Sequence, residues 1–207
     1  MSKEYGYIGK EVTQAFRNNK GIFTPQDIIE LDQENKWTNF GQLELIQTQT
    51  FTTTLNVDFT SIKQDIYDVH FATVSVDRQT TSSESVGIQF YENGTLETST
   101  VYHYAYQNGD SGGTFNESRT NGSNRLFATQ FVNSGDDKFG YSYFYDLGDS
   151  TKYSFQTMQS TAMLSTTYKM RFGSGVLPQK STVDGIRFTS VTGTMTGDIS
   201  LYGIRSF

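Results

Sequence analysis

From Gly41 onward apolar and polar residues alternate in short runs broken by Gly, Asn, Asp and Ser, and this period of two restricts the fold more than any other feature. Successive side chains of a strand point to opposite faces, whereas a helix repeats its apolar face near every 3.6 residues. The pattern predicts strands over 42–48, 50–59, 66–76, 85–92, 95–106, 125–132, 139–146, 152–158, 166–172, 184–191 and 196–204, a set that overcounts by one or two. Asn93-Gly94 is the strongest turn signal. Both residues tolerate the positive φ of a type I′ turn, whose twist suits a hairpin, and this pairs Tyr91 with Leu96 and Val86 with Val101. Further turns are expected at 108–113, 121–124, 133–137 and 147–150, where Gly, Asn, Asp and Ser cluster. The alternation slips phase after Phe71, which suggests a bulge there.

Composition agrees with the period. Thr (28) and Ser (21) make up nearly a quarter of the 207 residues, joined by 13 Tyr and 16 Phe, and Pro occurs only twice. Branched and flat side chains pack well on a pleated surface and gain less in helices. Crossover helices are missing, which excludes a parallel α/β sheet, and no repeat of solenoid or propeller length is visible. The expected fold is all-β: an antiparallel two-sheet β-sandwich of jelly-roll type, preceded by a short N-terminal helical arm. The expected division is 1–40 for the arm and 41–207 for the sandwich.

Within the arm, Ile8, Val12, Ala15 and Phe16 form a weak helical stripe, with Gly9 against it. A clearer helix begins at Pro25: Thr24 caps it, proline suits the first helical position, and Asp27 complements the helix dipole. Phe23 and Ile28 have the spacing of a hydrophobic staple, and the helix is expected to end near Asn35. Ile22, Phe23 and Trp37 flank it outside the sandwich pattern. They are candidates for an apolar anchor in assembly, with closure of the sandwich's own core as the equal alternative.

The chemistry-bearing residues are few. No cysteine is present, which excludes thiol catalysis, disulfides and cysteine-ligated metals. His70 and His103 are the only histidines and no HxH or HxxxH pair arranges two ligands on one element, so no metal site is expected. A net charge of −6 with 16 Lys and Arg argues against nucleic acid as a partner. No long apolar run and no Sec-type leader are found, so the expectation is a soluble chain made in a cytoplasm, without a membrane partner.

The string Gly109-Asp110-Ser111-Gly112-Gly113 resembles the segment around the nucleophilic serine of chymotrypsin-like proteases. Its Thr114 replaces the family's proline, and His70 lies too close in sequence for a whole barrel to intervene, so a Gly-rich turn is the better reading. Glu92, Glu97, Glu117, Asp136 and Asp137 are candidates for a glycosidase pair, and spacing alone does not show whether any two approach within the range hydrolysis requires. The sequons at Asn93, Asn116 and Asn121 read as turn composition. Tyr102, Tyr104 and Tyr106 share one face of a strand, as do Tyr141, Tyr143 and Tyr145. Each face suits either a ligand or partner surface or, more commonly, a ladder inside a sheet.

Several segments resemble a family of virion structural proteins of tailed bacteriophages, especially phages of cyanobacteria. They are KGIFTPQDIIELDQENKW (20–37), QLELIQTQTFTTTLNVDFTSI (42–62), YDVHFATV (67–74), YHYAYQ (102–107), TFNESR (114–119), KYSFQT (152–157), FGSGV (172–176) and DGIRFTSVTGTMTGDISLYGIR (184–205). The resemblance implies a non-enzymatic component of the virion, without catalytic residues or cofactors. It would be a homo-oligomer contacting other virion proteins, as a capsid decoration or knob or as a tail-fibre component. The alternative is a tail-fibre module that binds a host-surface glycan.

Overall fold

The computed structural model describes residues 25–33, 43–78, 85–129, 137–190 and 193–204. The chain divides into two compact units, Met1–Gln42 and Leu43–Phe207. In the first, helix α1 (Pro25–Gln33) starts at the proline, and Gln26 Nε2 donates to Glu30 Oε1 one turn on at 3.0 Å. The stripe at 8–19 and the candidate anchor residues Ile22, Phe23 and Trp37 lie outside the described residues.

The second unit is all-β. Its strands are β1 (Glu44–Thr54), β2 (Asn56–Phe59), β3 (Val69–Arg78), β4 (Val86–Glu92), β5 (Thr95–Leu96), β6 (Tyr102–Asp110), β7 (Phe115–Ser123), β8 (Leu126–Phe127), β9 (Lys138–Tyr145), β10 (Tyr153–Leu164), β11 (Thr167–Lys180), β12 (Val183–Ser190) and β13 (Met195–Ile204). One sheet has eight strands in the order β1-β13-β3-β9-β10-β11-β6-β7. The other has five, in the order β2-β12-β4-β5 with β8 also on β4, and the described pairings are antiparallel.

The inner faces of the two sheets meet in one core. Val74, Ile199, Leu201 and Phe144 from the larger sheet join Phe59, Ile88, Phe90, Ile186 and Phe188 from the smaller, all essentially without solvent contact. Phe90 meets Phe144 edge-on across the sheets at 5.9 Å, and Phe59 meets Phe188 at 5.8 Å. Each such side chain contributes about 1.5–3 kcal/mol by leaving water.

Asn93 (φ 49°) and Gly94 (φ 77°) form the expected turn, and Tyr91 pairs with Leu96. Val86 does not pair with Val101. One rung past Leu96, where Glu97 N–H donates to Phe90 O, the chain leaves this sheet, because Glu97 Oε1 captures Ser99 N–H and bends it. β6 therefore joins the other sheet, and Val86 pairs with Ser190.

The expected strands 42–48 and 50–59 are redivided. β1 runs unbroken to Thr54, and the left-handed Thr53 (φ 52°) marks the corner from which β2 enters the second sheet. β10 and β11 run farther than expected, and Pro178 is tolerated because β6 pairs with β11 only as far as Val176. β7 was absent from the expected set, and the turn expected at 121–124 starts inside it.

No bulge follows Phe71. The register of β3 is continuous with both neighbours, with His70, Ala72, Val74 and Val76 inward and Phe71 outward. The shifts lie instead between Leu45 and Gln47, Phe51 and Thr54, Tyr102 and Tyr104, Tyr153 and Ser154, and Val183 and Gly185. At 147–150 the chain turns as expected, and Gly148 passes so close to Gln64 that a Cβ would sit 2.1 Å from its carbonyl oxygen.

Candidate functional site

The outer face of the eight-stranded sheet carries the second tyrosine row. On β9, Tyr141, Tyr143 and Tyr145 alternate with inward Ser142 and Phe144, and Phe71 of β3 lies against Tyr143 at 4.7 Å and Tyr141 at 6.0 Å. Tyr202 of β13 extends the row, with its ring 6.0 Å from Phe71. Hydroxyls are tied across strands: Tyr141 donates to Gln159 Oε1 at 2.7 Å, and Tyr145 and Thr157 share a hydrogen bond at 3.1 Å. The rings remain half-exposed, and Phe139, Phe155 and Phe172 on the same face are exposed.

Next to Tyr145, Phe155 borders a shallow groove of about 750 Å³ that crosses β10, β11, β6 and β7. His103, Arg119, Asn121, Ser174 and Val176 also line it. Register explains the grouping: Val176 lies opposite both Phe155 and His103, and Ala105 lies opposite both Ser174 and Arg119. The exposed Phe155 ring near a guanidinium, an imidazole and an amide offers stacking and several hydrogen bonds. The volume suits a small ligand.

Tyr102, Tyr104 and Tyr106 take the opposite orientation. They face the interior, and Tyr102 and Tyr106 are buried. Tyr102 OH accepts from Phe90 N–H at 2.9 Å and donates to Glu97 O at 3.1 Å, while Tyr106 OH accepts from Phe127 N–H at 3.2 Å and donates to Gln156 Oε1 at 3.3 Å. Burial pushes both phenol pKa values up. Tyr104 stacks on Tyr106 at 4.7 Å. Tyr102 and Tyr106 are structural posts, so the solvent-facing role falls to the β9 row.

His70 is fully buried. Its Nε2 lies 2.8 Å from Ile62 O, which fixes that nitrogen as the donor, and Nδ1 has no partner. Burial lowers its pKa, only partly offset by the Ile62 carbonyl and the Asp68 charge. His103 lies apart from it, exposed in the groove. Ser111 sits in the β6–β7 turn, where Asp110 Oδ1 accepts from Gly112 and Thr114 N–H and Ser111 Oγ accepts from Tyr168 N–H.

Among the acidic candidates, Glu92 ends β4 and Glu97 follows β5. Glu97 accepts from Ser99 N–H at 2.7 Å and Gln179 Nε2 at 3.3 Å, and the Ser99 bond leads in lowering its pKa. Glu92 accepts from Ser181 Oγ. Glu117 pairs with Arg119 at 3.5 Å, Asp137 is exposed, and Asp136 lies outside the described residues. Among the described residues no three His, Asp or Glu gather where a metal ion could be held, and no helix is long and apolar enough to cross a membrane.

The fold and this face define an all-β chain of two antiparallel sheets with a broad aromatic surface. No protein-family model matches the chain, and no curated protein matches it.

Proposed function

We propose that the chain is a non-enzymatic structural protein of a bacteriophage virion, a homo-oligomer on the capsid surface or the tail. The observation that carries this reading is the wiring of the strands. β1-β13-β3-β9 in one sheet and β2-β12-β4-β5 in the other follow the strand order of a jelly roll, with β6, β7, β10 and β11 widening the first sheet. Jelly rolls recur in viral capsid and lectin domains. Fold alone does not fix function, so the outer face bears the argument further. Phe71, Tyr143, Tyr202 and Phe155 present the rings and hydroxyls that protein contacts favour. The segments that resemble virion proteins add to this.

The groove beside Phe155 favours a second reading, a host-attachment module that binds a surface glycan, since an exposed aromatic ring near polar groups suits a sugar ring. Quantitative mass spectrometry of purified particles tests the first reading. A fixed copy number per particle is expected, and absence from the particles overturns it. A glycan array read beside the Phe155→Ala variant tests the second.

A further inference from the structure

A different cavity, of about 440 Å³, opens on the inner side of the same sheet near the β6–β7 turn. Asn108, Asn116, Ser118, Leu164, Lys169 and Arg171 line it. Arg171 is 8% exposed, yet no carboxylate among the described residues lies within ion-pair distance of it. Its guanidinium lies 5.7 Å from the Tyr106 ring centroid and 5.4 Å from that of Phe127. Nε donates to Asn108 Oδ1 at 2.7 Å, and Nη1 donates to Ser85 Oγ and Thr129 O, each at 3.2 Å. Nη2 has no hydrogen bond to any described residue.

The other charges at this cavity are spoken for. Lys169 is held by Asp110 at 2.9 Å, and that carboxylate also accepts two backbone N–H groups. Glu117 pairs with Arg119. Arg171 is thus left as the uncompensated charge among the described residues lining the cavity. Removing a cation from water is costly, and ring faces offset only part of that cost. Neutral acceptors and aromatic faces position the guanidinium without neutralising it.

We propose that this cavity binds an oxyanion, the carboxylate or sulfate group of a small acidic ligand, through Arg171. Guanidinium matches such groups in shape and charge, and Nη2, which has no hydrogen bond to any described residue, supplies a donor. The amides of Asn108 and Asn116 and the hydroxyl of Ser118 stand beside it for neighbouring polar groups, as on an acidic sugar. The site lies on the opposite side of the sheet from the aromatic row and does not depend on the virion reading.

The test is an NMR titration of the full chain with sodium sulfate, sodium glucuronate, sodium chloride and glucose at matched ionic strength. Saturable shifts around Arg171 are expected with sulfate or glucuronate and not with chloride or glucose. The anion that binds distinguishes an inorganic source from a carboxylated sugar. Arg171→Gln should weaken binding at least about tenfold. Asn108→Asp provides the second arm, placing an acid of nearly the same shape against Nε: it should abolish binding and raise the urea midpoint. No saturable binding of either anion, unchanged affinity in Asn108→Asp, or a lowered midpoint in that variant would each overturn the assignment.

Discussion

The two halves of the eight-stranded sheet are built on different principles. Beneath β13 and β3 the inward residues include Ile199 and Leu201, then His70, Ala72, Val74 and Val76, and the apolar ones share one core with Phe188, Ile186 and Phe90 of the smaller sheet. Beneath β10 and β11 they include Ser154, Gln156, Ser160 and Arg171, all buried. Gln156 organises the second half, because its amide donates to Phe127 O and Ser142 Oγ, each at 2.9 Å, and its carbonyl accepts from Tyr106 OH. Burial does most of the holding in the first half, with the bond between His70 Nε2 and Ile62 O as a directional contact within it. The second half depends on geometry, since a buried polar group stabilises only while its partners stay in place.

Substitutions can break this contrast. The largest effect is expected for Phe188→Ala on the smaller sheet, facing the apolar half, about 3–5 kcal/mol lost in urea unfolding through transfer and cavity terms. Gln156→Ala should cost about 1–3 kcal/mol, because Phe127 O and Tyr106 OH lose partners in a buried setting. A cost below about 0.5 kcal/mol would mean that water replaces the amide, and the contrast between the halves would fail.

His70 supplies a pH-dependent test within the apolar half. Its folded-state pKa lies below the unfolded value near 6.5, so the unfolded chain binds the extra proton. Stability should be level above about pH 6.5 and fall below it, with a slope of at most ~1.4 kcal/mol per pH unit, until the folded pKa is passed. His70→Gln should flatten that slope in urea melts taken from pH 7.5 to 5, and a slope unchanged in the variant would exonerate this residue.

Asp58 offers a smaller test at the edge of the five-stranded sheet. Arg187 grips it through Nε and Nη2 at 2.7 and 2.9 Å, and Tyr91 OH donates to it at 2.9 Å. Burial raises the Asp58 pKa, but the bonds from Arg187 and Tyr91 outweigh that and leave it low. The pair therefore stabilises the fold above about pH 4 and is lost as the pH falls through the folded pKa. At its part-exposed position Asp58→Asn should cost about 1 kcal/mol at pH 7. The smallest effect on stability is expected for Tyr143→Ser, roughly 0.5 kcal/mol, since its ring is half-exposed. If the proposed virion role holds, incorporation into particles should nevertheless drop, and an unaffected copy number would count against the outer face as the contact surface.

Much of this arrangement was legible before any coordinates. The Asn93-Gly94 turn and the positions of β9 and β12 come directly from local chemistry. β7 stayed hidden because it is an edge strand, and FNESRTNGS is polar on both faces, so no period of two announces it. The groove that Arg119 and Asn121 help to line was hidden with it. Phe71 misled for the opposite reason: an apolar ring faces out while His70 faces in, which imitates a slipped register. The two tyrosine rows have the same spacing and opposite fates. What separates them is which face the second sheet covers, and that is set by tertiary packing. Arg171 occupied an inward position of a recognised strand, a charge where the alternation wants an apolar residue, and that conflict was the available clue.

The insertion of β13 between β1 and β3 has a consequence for biosynthesis. Glu44 and Gly203 are pairing partners, so the chain must be translated almost from one end of the unit to the other before the slot can be filled. Until residues 195–204 clear the ribosome, β1 and β3 expose unmatched edges in a crowded cell. Closure is therefore a late step, and nascent chains stalled short of it are the form that chaperones must shield.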